Sequence, residues 1–279
     1  MNKKRSSWIY LVLGIMLFSL ITVSALPLVG SVIDVQQVGL DPSQEVITLS
    51  PQELTKLEAE ASGYQKVLER EPDNDTALNG LLKIRLQQKD LAGAIAPLAK
   101  LAQLHPEATE YTTLLAQTRQ QTGDYEGAAA AYNEVLATYP GDIYALGGIT
   151  NLYLAQELPE RAIALLKKTI KQADSNSADN NAINREAVEL LLGELYANQQ
   201  RYGEAIAIYD EIAQSNQDDF RPILAKALVL EQQGDLKAAQ PILEKAYVAA
   251  PEKYKDQIGN EMAKLVQSLK SSESEQVQD

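Results

Sequence analysis

The stretch Asp90–Leu98, which reads DLAGAIAPL, decides the fold because its pattern recurs along the chain. The alanine at its centre, Ala94, has counterparts in steps of 34, 34, 43 and 34 residues, at Ala128, Ala162, Ala205 and Ala239. A large apolar residue follows each alanine by four positions: Leu98, Tyr132, Leu166, Tyr209 and Leu243. A fixed period of roughly 20–50 residues is typical of repeat proteins, in which each repeat packs on its neighbours.

Each repeat is predicted to be a pair of antiparallel helices. The alanine is small where the second helix crosses the first closely. The large residue lies one turn later on the same helix face, where it fills the space between helices. Prolines such as Pro106, Pro140 and Pro251 follow the second helix, since the residue before a proline is biased away from helix. The sequences Gly123-Asp124 and Gly234-Asp235 predict tight turns between the paired helices.

These residues and this period resemble the tetratricopeptide repeat. First-helix positions match as well, at Leu81-Leu82, Leu115-Ala116, Ile149-Thr150 and Leu192-Gly193, whereas the fifth repeat departs with Lys226-Ala227. The resemblance implies an all-α fold, a right-handed α-solenoid of helix-turn-helix repeats. Repeats 1–3 are predicted over 75–176 and repeats 4–5 over 186–253.

Shorter segments flank and interrupt the array. Residues 50–74 are predicted to form an N-terminal half repeat or cap helix, and 254–270 a closing helix whose polar outer face keeps the array soluble. The polar residues 271–279 are predicted to be disordered. Residues 177–185 form an insertion loop by composition, which is either a tolerated surface insertion or a hinge between repeats 3 and 4.

The N-terminus predicts a membrane segment. Residues 1–7 are basic, with Lys3, Lys4 and Arg5, and residues 8–33 are an uncharged apolar run that can span a bilayer as a signal anchor. A linker, 34–49, follows. Because basic residues stay cytoplasmic, we expect the N-terminus in the cytoplasm and the repeats on the periplasmic or lumenal side of a single-pass membrane protein.

A cleaved signal peptide is the competing interpretation of this segment. The sequence Val23-Ser24-Ala25 has the small residues of a cleavage site. However, the apolar run continues from Leu26 to Ile33 and is longer than the roughly 7–15 residues of a signal-peptide core. The sequence therefore favours a retained anchor.

The composition limits the possible chemistry. The chain has 25 basic and 38 acidic residues, a net charge of −13, which disfavours nucleic acid as a partner. It has no cysteine, and its one histidine, His105, stands beside the turn residue Pro106. We find no phosphate-binding loop, metal-ligand cluster or nucleophile with a base. The sequence therefore predicts no cofactor, no metal and no enzymatic activity.

The resemblance implies that the first helices line a concave groove for an extended or helical peptide. The register assigns these groove positions: Asn79, Lys83, Thr113, Gln117, Gln121, Tyr144, Asn151, Glu194, Arg221 and Leu228. Amide side chains at such positions can hydrogen-bond a peptide backbone without demanding charge. A solvated helix face without any partner would have the same composition, and both interpretations stay open.

One subclass of the family is not expected. Its members hold a C-terminal carboxylate of a chaperone with Lys and Asn in one repeat, Asn in the next, and Lys and Arg in a third. Here the corresponding residues are Asn79 and Lys83, then Leu114, then Tyr144 and Gly148. We therefore expect no carboxylate-clamp chaperone binding.

The resulting functional prediction is a membrane-anchored protein–protein interaction scaffold that assists assembly or maintenance of a membrane protein complex. The layout is similar to that of membrane-bound repeat proteins that assist photosystem assembly, so a photosynthetic complex is one possibility. The alternative is a cleaved, soluble periplasmic adaptor in envelope processes. In either case the expected partners are other proteins or peptides.

Overall fold

The computed structural model describes residues 50–175 and 183–276. These residues form twelve helices and no strand: α1 (Pro51–Leu68), α2 (Asp75–Gln87), α3 (Leu91–Leu104), α4 (Thr109–Gln121), α5 (Tyr125–Thr138), α6 (Ile143–Ala155), α7 (Pro159–Ser175), α8 (Arg185–Asn198), α9 (Tyr202–Ser215), α10 (Phe220–Gln232), α11 (Leu236–Ala249) and α12 (Glu252–Gln276). The all-helical expectation is confirmed for this part of the chain. The first helices of repeats 1–5 are α2, α4, α6, α8 and α10.

Side chains define the starts of these helices. The backbone N–H of Glu53 donates to Ser50 Oγ at 3.3 Å, and the backbone N–H of Ser50 donates to Glu53 Oε2 at 2.7 Å. This reciprocal pair is a capping box at the start of α1. In the turns of repeats 2 and 5, Gly123 and Gly234 adopt φ values of 86° and 87°, a left-handed conformation that costs glycine little.

The repeating alanines and large residues lie where the period predicts. All five alanines and all five large residues are 0–1% exposed. In repeat 1, Ala94 and Leu98 of α3 share a buried cluster with Leu82 of α2 and Leu114 of α4. The helices α2, α3 and α4 therefore pack through one register. The short turns within repeats require the paired helices to run antiparallel.

Tyrosines of three helices pack against glycines of neighbouring helices. A Cβ atom built on Gly80 of α2 would overlap the ring of Tyr64, and one on Gly148 of α6 would overlap the ring of Tyr132. In the same way, Gly193 of α8 faces Tyr209. The glycines leave the space that the rings fill, because a methyl group there would displace a buried side chain. We call each of these contacts a tyrosine–glycine contact.

Repeat 5 has Lys226 where the other repeats have an apolar residue, and this departure has a local explanation. Lys226 of α10 donates to both carboxylate oxygens of Asp210 on α9, at 2.6 and 2.8 Å. An ion pair thus joins these two helices at the register position that carries an apolar residue in repeats 1–4. The neighbouring Ala227 remains buried at 1% exposure and keeps the close helix approach.

Contacts divide the chain into two compact units. Among the described residues, the N-terminal unit comprises 50–157, with α1–α6, and the C-terminal unit comprises 158–276, with α7–α12. The division thus falls between the two helices of repeat 3, before the insertion 177–185 that the sequence offered as a possible hinge. Residues 177–182 of that insertion, with residue 176 before it, lie outside the described residues.

The end of the chain corrects one prediction. We expected a closing helix over 254–270 and a disordered tail over 271–279, but α12 continues to Gln276. Residues 271–276 contain neither glycine nor proline to end a helix. The hydroxyl of Ser271 also donates to the backbone oxygen of Gln267 at 3.0 Å, one turn earlier in the helix. Residues 277–279 lie outside the described part.

The predicted membrane segment, 8–33, lies outside the described residues, as do 1–7 and 34–49. None of the helices that the structure describes combines the length and the apolar character needed to cross a bilayer.

The contact between Tyr132 and Gly148 predicts opposite effects of two neighbouring substitutions. Gly148→Ala should lower the free energy of unfolding by about 1–3 kcal/mol, because the new methyl group overlaps a fully buried ring. Gly147 has open space around its Cβ position, so Gly147→Ala should raise it by roughly 0.5–1 kcal/mol. Urea unfolding followed by circular dichroism measures both. Equal responses of the two variants would contradict this packing.

Candidate protein-binding surfaces

The ten groove positions assigned from the register all lie on first helices. The N-terminal unit carries Asn79 and Lys83 on α2, Thr113, Gln117 and Gln121 on α4, and Tyr144 and Asn151 on α6. The C-terminal unit carries Glu194 on α8, and Arg221 and Leu228 on α10. Within each unit, first helices of successive repeats touch directly: α4 contacts α6, and α8 contacts α10.

On α2, one assigned residue has internal partners and the other projects outward. The side-chain N–H of Asn79 donates to the backbone oxygen of Asp75 at 2.9 Å, and its Oδ1 accepts from the Tyr111 hydroxyl at 3.2 Å. Asn79 therefore ties α2 to α4. Lys83 is exposed one turn further along α2 and is available to a ligand.

The three assigned side chains of α4 are different, because each has a buried polar atom without a hydrogen-bond partner among the described residues. Thr113 and Gln117 are each 1% exposed. Neither the hydroxyl of Thr113 nor either amide atom of Gln117 makes a hydrogen bond to a described residue, and Nε2 of Gln121 makes none either. An unpaired buried polar group costs about 1–3 kcal/mol. The amide of Gln117 therefore holds two donors and an acceptor without a partner, enclosed by the surrounding side chains.

The next first helix, α6, adds one residue that the sequence analysis missed. Thr150 is 2% exposed, and its hydroxyl also lacks a hydrogen-bond partner among the described residues. The sequence analysis considered Thr150 only as a helix-packing residue, so it did not predict a hydroxyl without a partner at this position. The two assigned residues of α6, Tyr144 and Asn151, are half-buried.

The three assigned residues of the C-terminal unit have unlike environments. Burial raises the pKa of Glu194 to about 7. The guanidinium of Arg221 donates to Asp219, the N-cap residue of its own helix, at 2.9 Å. Leu228 is 3% exposed, so its side chain packs in the interior. The structure brings Arg221 to the start of α10 and places Leu228 two turns away.

A cleft among α7, α8 and α9 was not foreseen. Its volume is about 360 Å³, and Ile170, Leu192, Tyr196, Ala207 and Ile208 form its apolar floor. We call it the α7–α9 cleft. Ala207 is exposed within it, so the cleft opens to solvent between the outer faces of two second helices. It lies within the C-terminal unit.

An arginine closes one end of the cleft. Nη1 of Arg201 lies 3.1 Å from Glu160 of α7, and Nη2 lies 2.5 Å from Glu204 of α9. The same guanidinium stands over the ring of Tyr196, 4.4 Å from its centroid. The hydrogen bond from Arg201 lowers the pKa of Glu204. Arg201 therefore connects α7, α8 and α9 at this end.

A second arginine closes the other end. Arg185 at the start of α8 lies 2.5 Å from Asp174 of α7, 2.6 Å from Glu189 of α8, and 3.9 Å from Glu211 of α9. Its hydrogen bond to Glu189, more than any other contact, raises the pKa of the guanidinium. Both ends of the cleft thus have the same design: one arginine joined to carboxylates on the helices that form the walls.

One cation of the cleft is arranged differently. Lys167 of α7 is exposed, and its Nζ lies 5.7 Å from the centroid of the Tyr196 ring. Beside the hydrogen bond from Arg201, the charge of Lys167 also lowers the pKa of Glu204 on α9. Arg161, Lys168 and Lys171 are also exposed on α7. Several basic residues on one helix of an acidic chain can be recognised in the sequence, so charge patterning could have singled out α7.

The single histidine has a local role. Nε2 of His105, at the end of α3, lies 2.7 Å from Oδ1 of Asp75, and its ring packs at 5.8 Å from that of Tyr111. These contacts connect α3 with α2 and α4. Within residues 50–175 and 183–276, no group of three or more histidine and acidic side chains could hold a metal ion.

Several solved structures are similar to this one. The yeast Tom70 structure has a TM-score of 0.52 at 13% identity, over 80% of this chain and 45% of that chain. A tetratricopeptide repeat protein from Parabacteroides merdae has a TM-score of 0.47 at 18% identity, over 79% of this chain and 87% of that chain. The Pseudomonas aeruginosa pilF structure has a TM-score of 0.44 at 17% identity, over 80% of this chain and 91% of that chain. This chain thus covers less than half of Tom70.

Family models agree with the repeat pattern. No curated protein sequence matches the chain. Four tetratricopeptide-repeat models match it, at residues 61–109, 120–182, 190–222 and 221–253. Together these matches span more than half of its length and include the repeating alanines and the large residues that follow them. The chain belongs to the tetratricopeptide-repeat family.

Proposed function

We propose that this protein is an interaction scaffold whose first-helix face receives a peptide segment of a partner protein. The observation that carries the proposal is the set of polar atoms on α4, at Thr113 and Gln117, that have no hydrogen-bond partner among the described residues. Both side chains are only 1% exposed, so a peptide reaches them when the side chains that cover them move aside. An extended peptide has a donor and an acceptor at almost every residue, so its backbone can satisfy such groups. Exposed Lys83 and half-buried Asn151 flank them on α2 and α6.

The proposal includes a place and a task. Residues 8–33 anchor the chain in a membrane, and the repeats lie on its periplasmic or lumenal side, where they assist assembly or maintenance of a membrane protein complex. The support is the basic cluster Lys3-Lys4-Arg5 before an uncharged apolar run. The chain has no catalytic activity of its own, and it does not bind chaperone tails through a carboxylate clamp, because Leu114 and Tyr144 stand at positions that the clamp requires to be polar or basic.

Substitutions on the first-helix face should weaken peptide binding. Peptides selected from a random library on the full chain in phosphatidylcholine nanodiscs should bind roughly fivefold more weakly to Lys83→Glu or Asn151→Ala, which each remove one hydrogen bond or charge contact. Lys245→Glu, on the exposed side of α11, is the control and should bind normally. Fluorescence anisotropy measures the affinities. If the peptides bound Lys245→Glu more weakly but bound Lys83→Glu and Asn151→Ala normally, the assigned face would be wrong.

The anchor makes a separate prediction. The full chain should remain in the membrane fraction after alkaline extraction, and its mature N-terminus should be Met1 or Asn2. Replacing Leu13 and Leu17 with arginines should release it, because each charge at the centre of a membrane helix costs roughly 2.5–3.5 kcal/mol. A soluble mature protein that begins at Leu26 would instead show the cleaved periplasmic adaptor.

A further inference from the structure

Glu194 is the acidic residue among the ten assigned groove positions, and it lies on α8 in the C-terminal unit. Its side chain is half-buried. In contrast to the amide of Gln117, its carboxylate oxygens are not fully enclosed by other side chains. A ligand on the first-helix face of the C-terminal unit can therefore reach this carboxylate from the surface.

The fold supplies no partner for the carboxylate of Glu194. Among the described residues it makes no hydrogen bond and no ion pair, and burial is the cause that raises its pKa to about 7. Burial, and then the charge of Glu194, raise the pKa of Tyr209 on α9, so these two groups lie close together. The enclosed hydroxyl of Tyr209 nevertheless has no hydrogen-bond partner among the described residues. An ionised carboxylate that is partly removed from water without a partner is destabilised, so an added cation would relieve it.

The basic residues of the first helices in the C-terminal unit are already occupied. The helices α8 and α10 carry three of them, and the last turn of α8, next to Glu194, contains none. No cation on α7 lowers the pKa of Glu194 either. Each of the three is paired with a carboxylate: Arg185 with Glu189, Arg221 with Asp219, and Lys226 with Asp210. A cation for Glu194 therefore has to come from another molecule.

From this unpaired carboxylate we infer that Glu194 is a specificity-determining residue of the C-terminal unit, where it binds a lysine or arginine side chain of a partner peptide. The inference rests on the proposed function and specifies the kind of peptide that the first-helix face takes there. The ammonium or guanidinium group donates to the carboxylate, and such charge-assisted hydrogen bonds are the stronger ones in proteins. The net charge of −13 also favours the approach of a basic peptide.

A metal ion is the other cation to consider. Calcium takes about 6–8 oxygen ligands. In the part of the chain that the structure describes, no group of three or more acidic side chains could supply them. A single carboxylate therefore favours an organic cation that brings its own hydrogen-bond donors.

Differential selection of peptides tests the inference. A display library that lacks histidine is selected on the full chain in phosphatidylcholine nanodiscs, in the presence of an excess of unlabelled Glu194→Gln chain in the same nanodiscs. The amide of this competitor has nearly the size of the carboxyl group but no charge, so the competitor removes peptides that do not need the charge. We expect the surviving peptides to share a lysine or an arginine at one position.

Affinities of the surviving peptides then identify the contact. Replacing the shared lysine with norleucine, or the shared arginine with citrulline, should weaken binding to the wild-type chain roughly tenfold and leave binding to Glu194→Gln unchanged. Glu244→Gln removes an exposed carboxylate from α11, so it is the matched control and should bind like the wild type. Fluorescence anisotropy measures the affinities, and circular dichroism confirms that each variant is folded.

The pH dependence of binding is a readout that requires no variant. Between about pH 8 and about pH 6 the carboxyl group of Glu194, with a pKa of about 7, takes up a proton and loses the charge that binds the cation. Affinity should therefore fall by up to roughly tenfold, in proportion to the ionised fraction of this group. Of the titratable groups on α7, α9 and α10, which pack against α8, Tyr209 is the one whose pKa responds to Glu194, and it stays neutral over this range. Affinity for the Glu194→Gln chain should not vary in this way.

Several outcomes would overturn the inference: no surviving peptide, survivors without a shared basic residue, unchanged affinity after its replacement, binding that does not depend on pH, or competition by calcium chloride at matched ionic strength. Lys83-dependent peptides from a selection without the competitor would then still support the proposed function. Conversely, peptides that need Glu194 but tolerate Lys83→Glu and Asn151→Ala would support this inference while the assigned face of the N-terminal unit fails. Either can therefore fail without the other.

Discussion

The ring of Tyr132 on α5 lies against the backbone of Gly148 on α6, in a space that a single methyl group would close. The same kind of contact joins Tyr64 to Gly80 and Tyr209 to Gly193. Tyr132 and Tyr209 are fully buried, whereas Tyr64 is half-buried. Full burial of a large apolar side chain contributes roughly 1.5–3 kcal/mol. Repeats 1, 3 and 5 place a buried leucine at this register position.

This packing leaves other helix faces free for binding. Because the second helices turn their alanines and large residues inward, the polar face of α4, with Thr113 and Gln117, takes no part in the core cluster of repeat 1. The outer faces of α7 and α9 are likewise free, and there two arginines, Arg185 and Arg201, hold the walls of a cleft. A regular core thus leaves two chemically different features: enclosed amide and hydroxyl groups without partners on α4, and a cleft with an apolar floor and charged residues of both signs among α7, α8 and α9.

The repeat register was readable from the sequence because it depends on side-chain size at fixed spacing. The counterparts of Ala94 and Leu98 recur with so little variation in spacing that the sequence alone predicts the helix pairs. The α7–α9 cleft was not readable, since it depends on residues far apart in the chain, such as Glu160 and Arg201, whose proximity only the packing of α7 on α8 creates. Burial of individual groove residues was equally hidden: Leu228 shares its register position with polar residues of other repeats, yet it lies inside. From the polar composition, the sequence analysis predicted disorder past Ser271. No helix-breaking residue lies there, and α12 continues.

The central claim is that each repeat is held by its neighbours through this one register. Hydrogen exchange of the Leu98→Ala variant tests it most directly, because Leu98 is fully buried and its loss should cost about 2–5 kcal/mol. Stability in a repeat array is a sum of local terms. The account predicts faster amide exchange in α3 and in the helices that pack on it, α2 and α4, with exchange in α9–α11 unchanged. An equal acceleration in α9–α11 would contradict it, because it would show that the chain unfolds as a single cooperative core.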